Sequence, residues 1–430
     1  MLQLANQALC LLVTLARVSA NRYNQGVKAK TIHWASNAPH AAMNLSMIQQ
    51  LLSSEGQAAL AAAAEMEPTA PTWLRCGERL RRRFPAELAR VALETVLLRQ
   101  RAQAKFTRAD QMYFTREALE QATSESVARY RARRYAPFAQ VADLCCGIGG
   151  DTLGLAGVAS VTAVDNDPVR LAMARANVAA YEGPYPVIFR QEDVSRLSAW
   201  NVPAYFFDPD RRTGGRRHVS IRDYQPPLDA VLARLPNEAA LGVKLAPAVA
   251  WNELQTYAAE VEFISLHGEL KEGVLWFGPL RTTTHRATVL PGPYTLTATE
   301  PVPPRPPCSP RMYLYDPDPA ITRAGLVRNL AELLDAEPLD ATTALLTAET
   351  WHDTPFARSY VMEEAIPFQR QRLSSYLRAR HVGQVTIIKR GSAVDADTLM
   401  RQLKLSGPER RTLILTRVRG KPYGLIARDV

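Results

Sequence analysis

Residues 143–151 read DLCCGIGGD. Val141, Ala142, Asp143 and Leu144 form a short apolar run that suits a buried strand, and the pattern from Thr152 to Ala159 begins a helix. A strand, a glycine-rich turn and a helix in that order form a place where backbone N–H groups can approach a ligand. Glycine turns tightly there and puts no side chain in the way. A dinucleotide site wants G-x-G-x-x-G, and here Thr152 stands at the third glycine position, which weakens a nicotinamide-cofactor reading. Working outward, Val161–Val164 reads as a second strand. Pro168 to Ala180 reads as a second helix, with proline in the first turn where its missing N–H is harmless. Val187–Phe189, Ala204–Phe207 and Leu241–Leu245 supply a third, fourth and fifth strand. This alternation predicts an α/β fold with a parallel, doubly wound, Rossmann-like sheet over residues 136–300.

Acidic residues follow three successive strands. Asp143 ends the first and would sit badly beside a pyrophosphate but well beside a cationic amine. Asp165 ends the second, 22 residues further on, where a carboxylate accepts both hydroxyls of a ribose. Asp193 follows the third and suits an adenine amino group. Any one of these acids reads equally well as a helix cap or a loop residue; three in sequence with the glycine turn do not. The arrangement resembles the class I S-adenosylmethionine-dependent methyltransferases, and DLCCGIGGD is similar to the DLxCGxGG form of RNA-modifying members such as trimethylguanosine synthase. The resemblance implies that Asp143, Gly147, Gly149, Asp165 and Asp193 line a pocket for S-adenosylmethionine, with Asn166 and Val194 beside them. Cys145 and Cys146 would then contribute backbone and not thiol chemistry. In related enzymes the segment before the first strand closes over the methionine end, which here points to Thr123 or Ser124; an ordinary helix cap explains these two equally well.

After the fourth strand the chain reads DPDRRTGGRR over residues 208–217. Many amino-methylating relatives carry Asp-Pro-Pro-aromatic at this place. An exocyclic amine is a poor nucleophile because its lone pair is delocalised into the base. A carboxylate and a carbonyl can accept its two hydrogens and aim the lone pair at a methyl donor, leaving alignment as the main work. Asp208 and the Pro209 carbonyl suit these roles. Asp210 and Arg211 replace the second proline and the aromatic. Arg211, Arg212, Arg216 and Arg217 then suit substrate phosphates, or stack on a base as an aromatic ring would; a plain basic loop is the bland alternative. No Pro-Cys dipeptide follows the fourth strand, which disfavours carbon-5 methylation of a pyrimidine, a reaction that needs a cysteine nucleophile.

The bulk composition agrees with a soluble multidomain protein. The 430 residues give a prior of about three domains. They are 47% apolar and 22% charged, with 52 Lys and Arg against 42 Asp and Glu, a net charge of +10. The basic excess permits a polyanionic partner without requiring one. The five cysteines form no disulfide ladder and no zinc spacing, so no metal is expected and a reducing cytoplasm is the simplest location. Residues 8–16 are apolar, but no Lys or Arg precedes them, so they make a poor secretory signal and no membrane partner is expected. Residues 1–42 read as an extension without a structural role, with a natural start at Met43 or Met47.

Residues 43–135 carry helical periodicity and suggest a helical N-terminal domain. Residues 301–310, PVPPRPPCSP, hold six prolines and predict a stiff linker. Residues 311–430 then form a small α/β unit, with strands at 385–389, 412–418 and 423–427 and a helix near 396–405. From about Leu51 to the C-terminus the chain resembles a bacterial methyltransferase family with a C-terminal THUMP-like domain. The resemblance rests on FTREALEQAT (114–123), the glycine turn, DPDRR (208–212), KLAP (244–247), GELKE (268–272), YDPDP (315–319) with RAG (323–325), and KRG (389–391). It implies an RNA partner, since THUMP domains bind RNA. The leading expectation is therefore an S-adenosylmethionine-dependent methyltransferase acting on an exocyclic amine of tRNA or rRNA, guanine N2 favoured. A methyltransferase of a protein or an acidic small molecule is the second reading. A non-catalytic RNA-binding protein with a relic pocket is the third. The sequence leaves the oligomeric state open.

Overall fold

The structure is a computed structural model describing residues 43–196, 202–213, 216–217, 219–300 and 302–430; the extension 1–42 and its apolar run lie outside the described residues. The chain enters through four helices, α1 (Leu45–Leu52), α2 (Ser54–Ala64), α3 (Trp73–Arg81) and α4 (Ala86–Ala102). Local chemistry starts the first two: the Asn44 side chain accepts from the Met47 N–H, and Ser53 caps α2 through the Gly56 N–H. Their apolar faces share one core with Ile148 of the glycine turn and with Leu153 and Met173 of the first two helices of the following sheet unit, so the helical bundle packs directly on that unit. Helices α5 (Arg116–Gln121) and α6 (Glu125–Ala132) complete the approach.

The next elements are β1 (Gln140–Leu144), α7 (Gly150–Leu155), β2 (Ser160–Asp165), α8 (Pro168–Ala179), β3 (Val187–Gln191) and β4 (Ala204–Phe207). A two-strand hairpin, β5 (Arg212–Thr213) and β6 (Arg216–Arg217), precedes α9 (Leu228–Leu232), β7 (Ala240–Leu245), α10 (Trp251–Leu254), β8 (Glu260–Leu266), β9 (Glu269–Phe277), β10 (His285–Leu290) and β11 (Tyr294–Ala298). The main sheet has nine strands in the order β11-β10-β8-β9-β7-β4-β1-β2-β3. Strands β3-β2-β1-β4-β7 are parallel, as the sequence predicts. Beyond β7 the sheet becomes mixed: β9 runs antiparallel to both β7 and β8, and β11 antiparallel to β10. The strand order reverses between β1 and β4, and the crevice at their C-terminal ends is where such a sheet binds ligands.

The rest comprises β12 (Tyr313–Pro317), α11 (Pro319–Arg323), α12 (Val327–Leu333), β13 (Glu337–Pro338), β14 (Leu346–Ala348), β15 (Ala357–Pro367), α13 (Arg370–Ala379), β16 (Val382–Lys389), α14 (Ala396–Leu403), β17 (Glu409–Val418) and β18 (Lys421–Asp429). Its seven strands form a second sheet in the order β13-β14-β12-β15-β18-β17-β16. Tyr315, Ala320, Ile321 and Leu330 share a core with Val261, Phe263 and Ala287 of the first sheet. Residues 302–310 adopt neither helix nor strand, yet they do not run free: the Cys308 N–H donates to Pro338 O at 2.9 Å and Arg305 to Ala336 O at 3.2 Å. The proline-rich stretch is a strap along the second unit.

Strands β8 and β9 carry buried carboxylates that the sequence pattern does not mark as core. Glu260 accepts from Arg134, from Arg286 at 2.8 Å and from the Thr282 N–H at 2.8 Å. Burial alone would raise its pKa, but Arg134 and Arg286 pull it down to about 2. A carboxylate with a depressed folded-state pKa contributes stability above its ordinary pKa and loses it as pH falls toward the depressed value. Glu260→Gln should therefore cost about 3 kcal/mol near neutral pH, since it leaves two guanidinium groups short of a partner. Thermal melts should show the gap to the parent closing between pH 4.5 and pH 2; an equal gap at pH 7 and pH 2.5 would count against this role.

Candidate functional site

The crevice between β1 and β4 opens into a cavity of about 740 Å³. Its floor is the turn read first in the sequence. Gly147 has φ +55, and a Cβ there would meet nothing within 4 Å, so its backbone faces open space. Gly149, at φ +86, is different. A Cβ would touch Ala174 and Val178 at 3.4 Å, so this glycine admits α8 against the start of α7 and does not line the cavity. Gly150 brings the turn against Thr123, whose carbonyl would lie 3.3 Å from a Cβ, and this places Thr123 on the cavity wall. Cys145 and Cys146 also line the wall, and burial pushes both thiols well above their usual range, which leaves them protonated.

Asp165, Asn166, Asp193 and Val194 all lie on the wall. One Asp165 oxygen accepts from the Gly147 N–H at 2.9 Å and the other from the Asp167 N–H at 3.0 Å, so the carboxylate is fixed edge-on beside the glycine turn. Burial raises its pKa despite these bonds. Asp193 accepts from the Ser195 hydroxyl and N–H, which hold it below the usual carboxylate range. Asp143 is placed otherwise than expected. It is fully buried beneath the turn, takes a 2.5 Å hydrogen bond from the Thr152 hydroxyl, and leaves Oδ1 without a partner among the described residues. Burial, then the charge of Asp151, pushes its pKa up. Asp151, at the other end of the motif, is the acid that reaches the wall. It accepts from Thr123 at 3.1 Å and pairs with Arg131; burial opposes its ionisation, but Arg131 and Lys244 hold it below the usual range.

On the opposite side, Asp208, Pro209, Asp210 and Arg211 leave β4 along the wall. Asp208 accepts from the Lys244 ammonium at 2.6 Å, and Lys244 also lies 3.8 Å from Asp151. Lys244 is buried in β7, 3% exposed, so this cation is committed to the two aspartates. Asp210 exchanges backbone hydrogen bonds with Gln225 at 2.9 and 3.0 Å, which makes residues 224–227 the second lip of the cavity. Arg212 pairs with Arg217 across β5 and β6. The side chains of Arg212, Arg216 and Arg217 lie outside the described residues.

Four contributors were not read as site residues from the sequence: Asp151, Arg131, Lys244 and Lys105. The Lys105 ammonium donates to the Leu119, Glu120 and Ala122 carbonyls at 2.8, 3.2 and 2.9 Å, tying down the end of α5 beside Thr123. Burial brings its pKa down to about 8. The one local signal was Lys244, a charge inside the otherwise apolar strand ALGVKL (240–245). Among the described residues no cluster of His, Cys, Asp or Glu is arranged to hold a metal, and no helix is long and apolar enough to cross a membrane.

These groups suit S-adenosylmethionine. The open backbone at Gly147 leaves room for a ligand that a side chain there would fill, and Asp165 and Asp193 keep acceptors toward the cavity for a nucleoside. Comparison with known proteins agrees. A THUMP domain-like family matches residues 357–429, and a domain of unknown function (DUF8688) matches residues 44–102. S-adenosylmethionine-dependent methyltransferases from two strains of Mycobacterium tuberculosis, CDC 1551 and H37Rv, are each 36% identical over 341 residues, 76% of this chain and 92% of theirs. The crystal structure of a protein from Porphyromonas gingivalis W83, described as a methyltransferase, aligns with a TM-score of 0.69 at 21% identity. That alignment covers 87% of this chain and 98% of the other.

Gly147→Val should weaken S-adenosylmethionine binding at least tenfold by calorimetry, because the side chain enters the cavity. The positive φ adds a strain of about 1–2 kcal/mol, visible as a lower Tm. Unchanged affinity would show that the turn does not contact the cofactor.

Proposed function

The chain belongs to the S-adenosylmethionine-dependent methyltransferases, and from that premise we propose that it methylates an exocyclic amine of an RNA base, guanine N2 first among the candidates. The observation that carries this reading is the Asp208–Pro209 pair at the end of β4, on the cavity wall, with the Asp208 carboxylate fixed by Lys244. S-adenosylmethionine supplies the activated methyl group. Asp165 would hold its ribose and Asp193 its adenine, with the turn around Gly147 beneath. Lys244 occupies one oxygen of Asp208 and leaves the other to accept an amine hydrogen, while the Pro209 carbonyl takes the second. Such fixed acceptors contribute by orienting the lone pair, and no nucleophile on the protein is required.

The wall next to the transfer point carries acceptors: Asp208, the Pro209 carbonyl and Asp210. Guanine presents adjacent N–H donors on its N1 and N2 edge. Adenine and cytosine present an acceptor beside the amine, which would face a carboxylate. That pattern favours guanine. An RNA partner is supported by the basic second unit, where Arg370, Arg372, Arg380, Arg401, Lys404 and Arg410 are exposed. Binding through such a surface weakens steeply with salt.

Tritium from labelled S-adenosylmethionine should enter RNA isolated from a strain lacking the protein, and nuclease digestion should release the label as an N2-methylated guanosine. Label in protein or small molecules and none in RNA would overturn the substrate assignment. Asp208→Ala should keep cofactor affinity within about twofold yet lower transfer roughly a hundredfold, about 2.7 kcal/mol of transition-state stabilisation. Lys244→Met should lower transfer in the same direction with Lys244→Arg restoring part of it; full turnover in Asp208→Ala would remove Asp208 from the mechanism.

A further inference from the structure

Arg75, Arg79, Arg81, Arg82 and Arg83 are all exposed on α3 and the turn that follows it. Arg75, Arg79 and Arg82 recur at the spacing of one helix face, while Cys76 and Leu80 point the other way into the bundle core. The stretch holds one carboxylate, Glu78, and no ion pair joins it to these arginines among the described residues. Some arginines elsewhere in the chain are paired closely: Arg90 with Glu94 at 3.2 Å, Arg411 with Glu363 at 2.7 Å, Arg390 with Asp316 at 2.7 Å. A helix C-terminus favours a cation or two in its last turn. Five arginines in nine residues exceed that need, and an anionic partner would relieve the repulsion that solvent and salt only screen.

We propose that this face of the N-terminal bundle is a phosphate-binding surface for the RNA substrate, separate from the THUMP-like unit; the proposal rests on the RNA reading above. Arg75 to Arg82 spans about 10 Å along the helix, over which a nucleic-acid strand presents about three phosphates. Guanidinium groups match phosphate oxygens with paired hydrogen bonds that an ammonium cannot make. The bundle packs on α7, which leaves the cofactor turn, and on α8, which follows β2, so RNA held here lies against the same body that carries the cavity. A membrane surface fits less well. An interfacial helix needs a free apolar face, and the apolar face of α3 is spent on the bundle, with Leu74 its one strongly exposed apolar residue.

The test compares full-length protein with the triple variant Arg75→Gln, Arg79→Gln, Arg82→Gln, using fluorescence anisotropy of labelled mixed transfer RNA between 50 and 200 mM KCl. The variant should bind at least tenfold more weakly at 100 mM KCl, and its plot of log K against log salt should be shallower by about 2, the loss expected for three phosphate contacts. S-adenosylmethionine affinity should be unchanged, which reports an intact fold, and the corresponding triple Lys variant should recover most of the salt slope. Tight RNA binding by the parent with an unchanged slope in the Gln variant would overturn this surface and leave the RNA reading standing. Absence of RNA binding by the parent would overturn both. Arginine-dependent capture by phosphatidylglycerol vesicles, with no change toward RNA, would assign the face to a membrane instead.

Discussion

A lysine ammonium buried inside a central strand is the constraint on which the site depends. Lys244 sits in β7 with almost no exposure, and a buried charge without partners costs several kcal/mol. It is tolerated because Asp208 from β4 and Asp151 from α7 reach it from two sides. Arg131 from α6 then binds Asp151 and makes a close ion pair with Glu272 of β9 at 2.7 Å. Five elements are thereby held to one buried charge cluster directly under the cavity. Their side chains cannot rotate away without leaving a partner unpaired, so the Asp208 side of the cavity is held in place by these pairs.

What the sequence revealed, and what it hid, follows from the range of each interaction. The glycine turn, the five parallel strands and the acids after β2 and β3 were legible because each rests on local chemistry: strand periodicity, a positive φ at Gly147, a proline in the first turn of α8. The cluster beneath them was not. Arg131 and Asp151 are 20 residues apart, Asp208 and Lys244 are 36 apart, and neither spacing marks a motif. The turn contains an acid at each end, and only packing decides that Asp151 meets the cavity while Asp143 turns under it.

Strands β8 and β9 were missed for a related reason. EVEFISL opens by alternating acidic and apolar residues, and ELKEGVLWF opens on charged ones, patterns that usually mark a solvent face. Here Glu260, Glu262 and Glu272 are inside. Glu260 is buried against Arg134 and Arg286, and Glu262 accepts from Tyr130 at 2.7 Å and from the Trp276 indole at 2.8 Å. The helix leading into β1 supplies Tyr130, and the turn after it supplies Arg134, so the segment before the sheet is clamped to its far half. The second unit completes the clamp: Arg323 of α11 donates to the Pro247 and Val249 carbonyls, in the loop that follows Lys244. The proline-rich stretch suggested a joint because proline content reports stiffness and not attachment. The strap's own N–H and carbonyl groups decide where it lies.

The charge cluster also bears on which ligand state the cavity favours. Asp143, Asp151, Asp208 and Glu272 face two cations, Arg131 and Lys244. Burial pushes the pKa of Asp143 and of Glu272 up. At Asp151 burial acts the same way, but Arg131 and Lys244 outweigh it and hold the group below the usual carboxylate range. To the extent that the four carboxylates outnumber the two cations in charge, the cluster would favour a positive charge in the cavity over a neutral ligand of the same shape. S-adenosylmethionine carries a sulfonium that its demethylated product lacks. Coulombic attraction in a partly desolvated cavity is worth more than the same pair in water, so surplus carboxylate charge beneath the cavity would bind the charged donor more tightly than its neutral product, without any residue having to move.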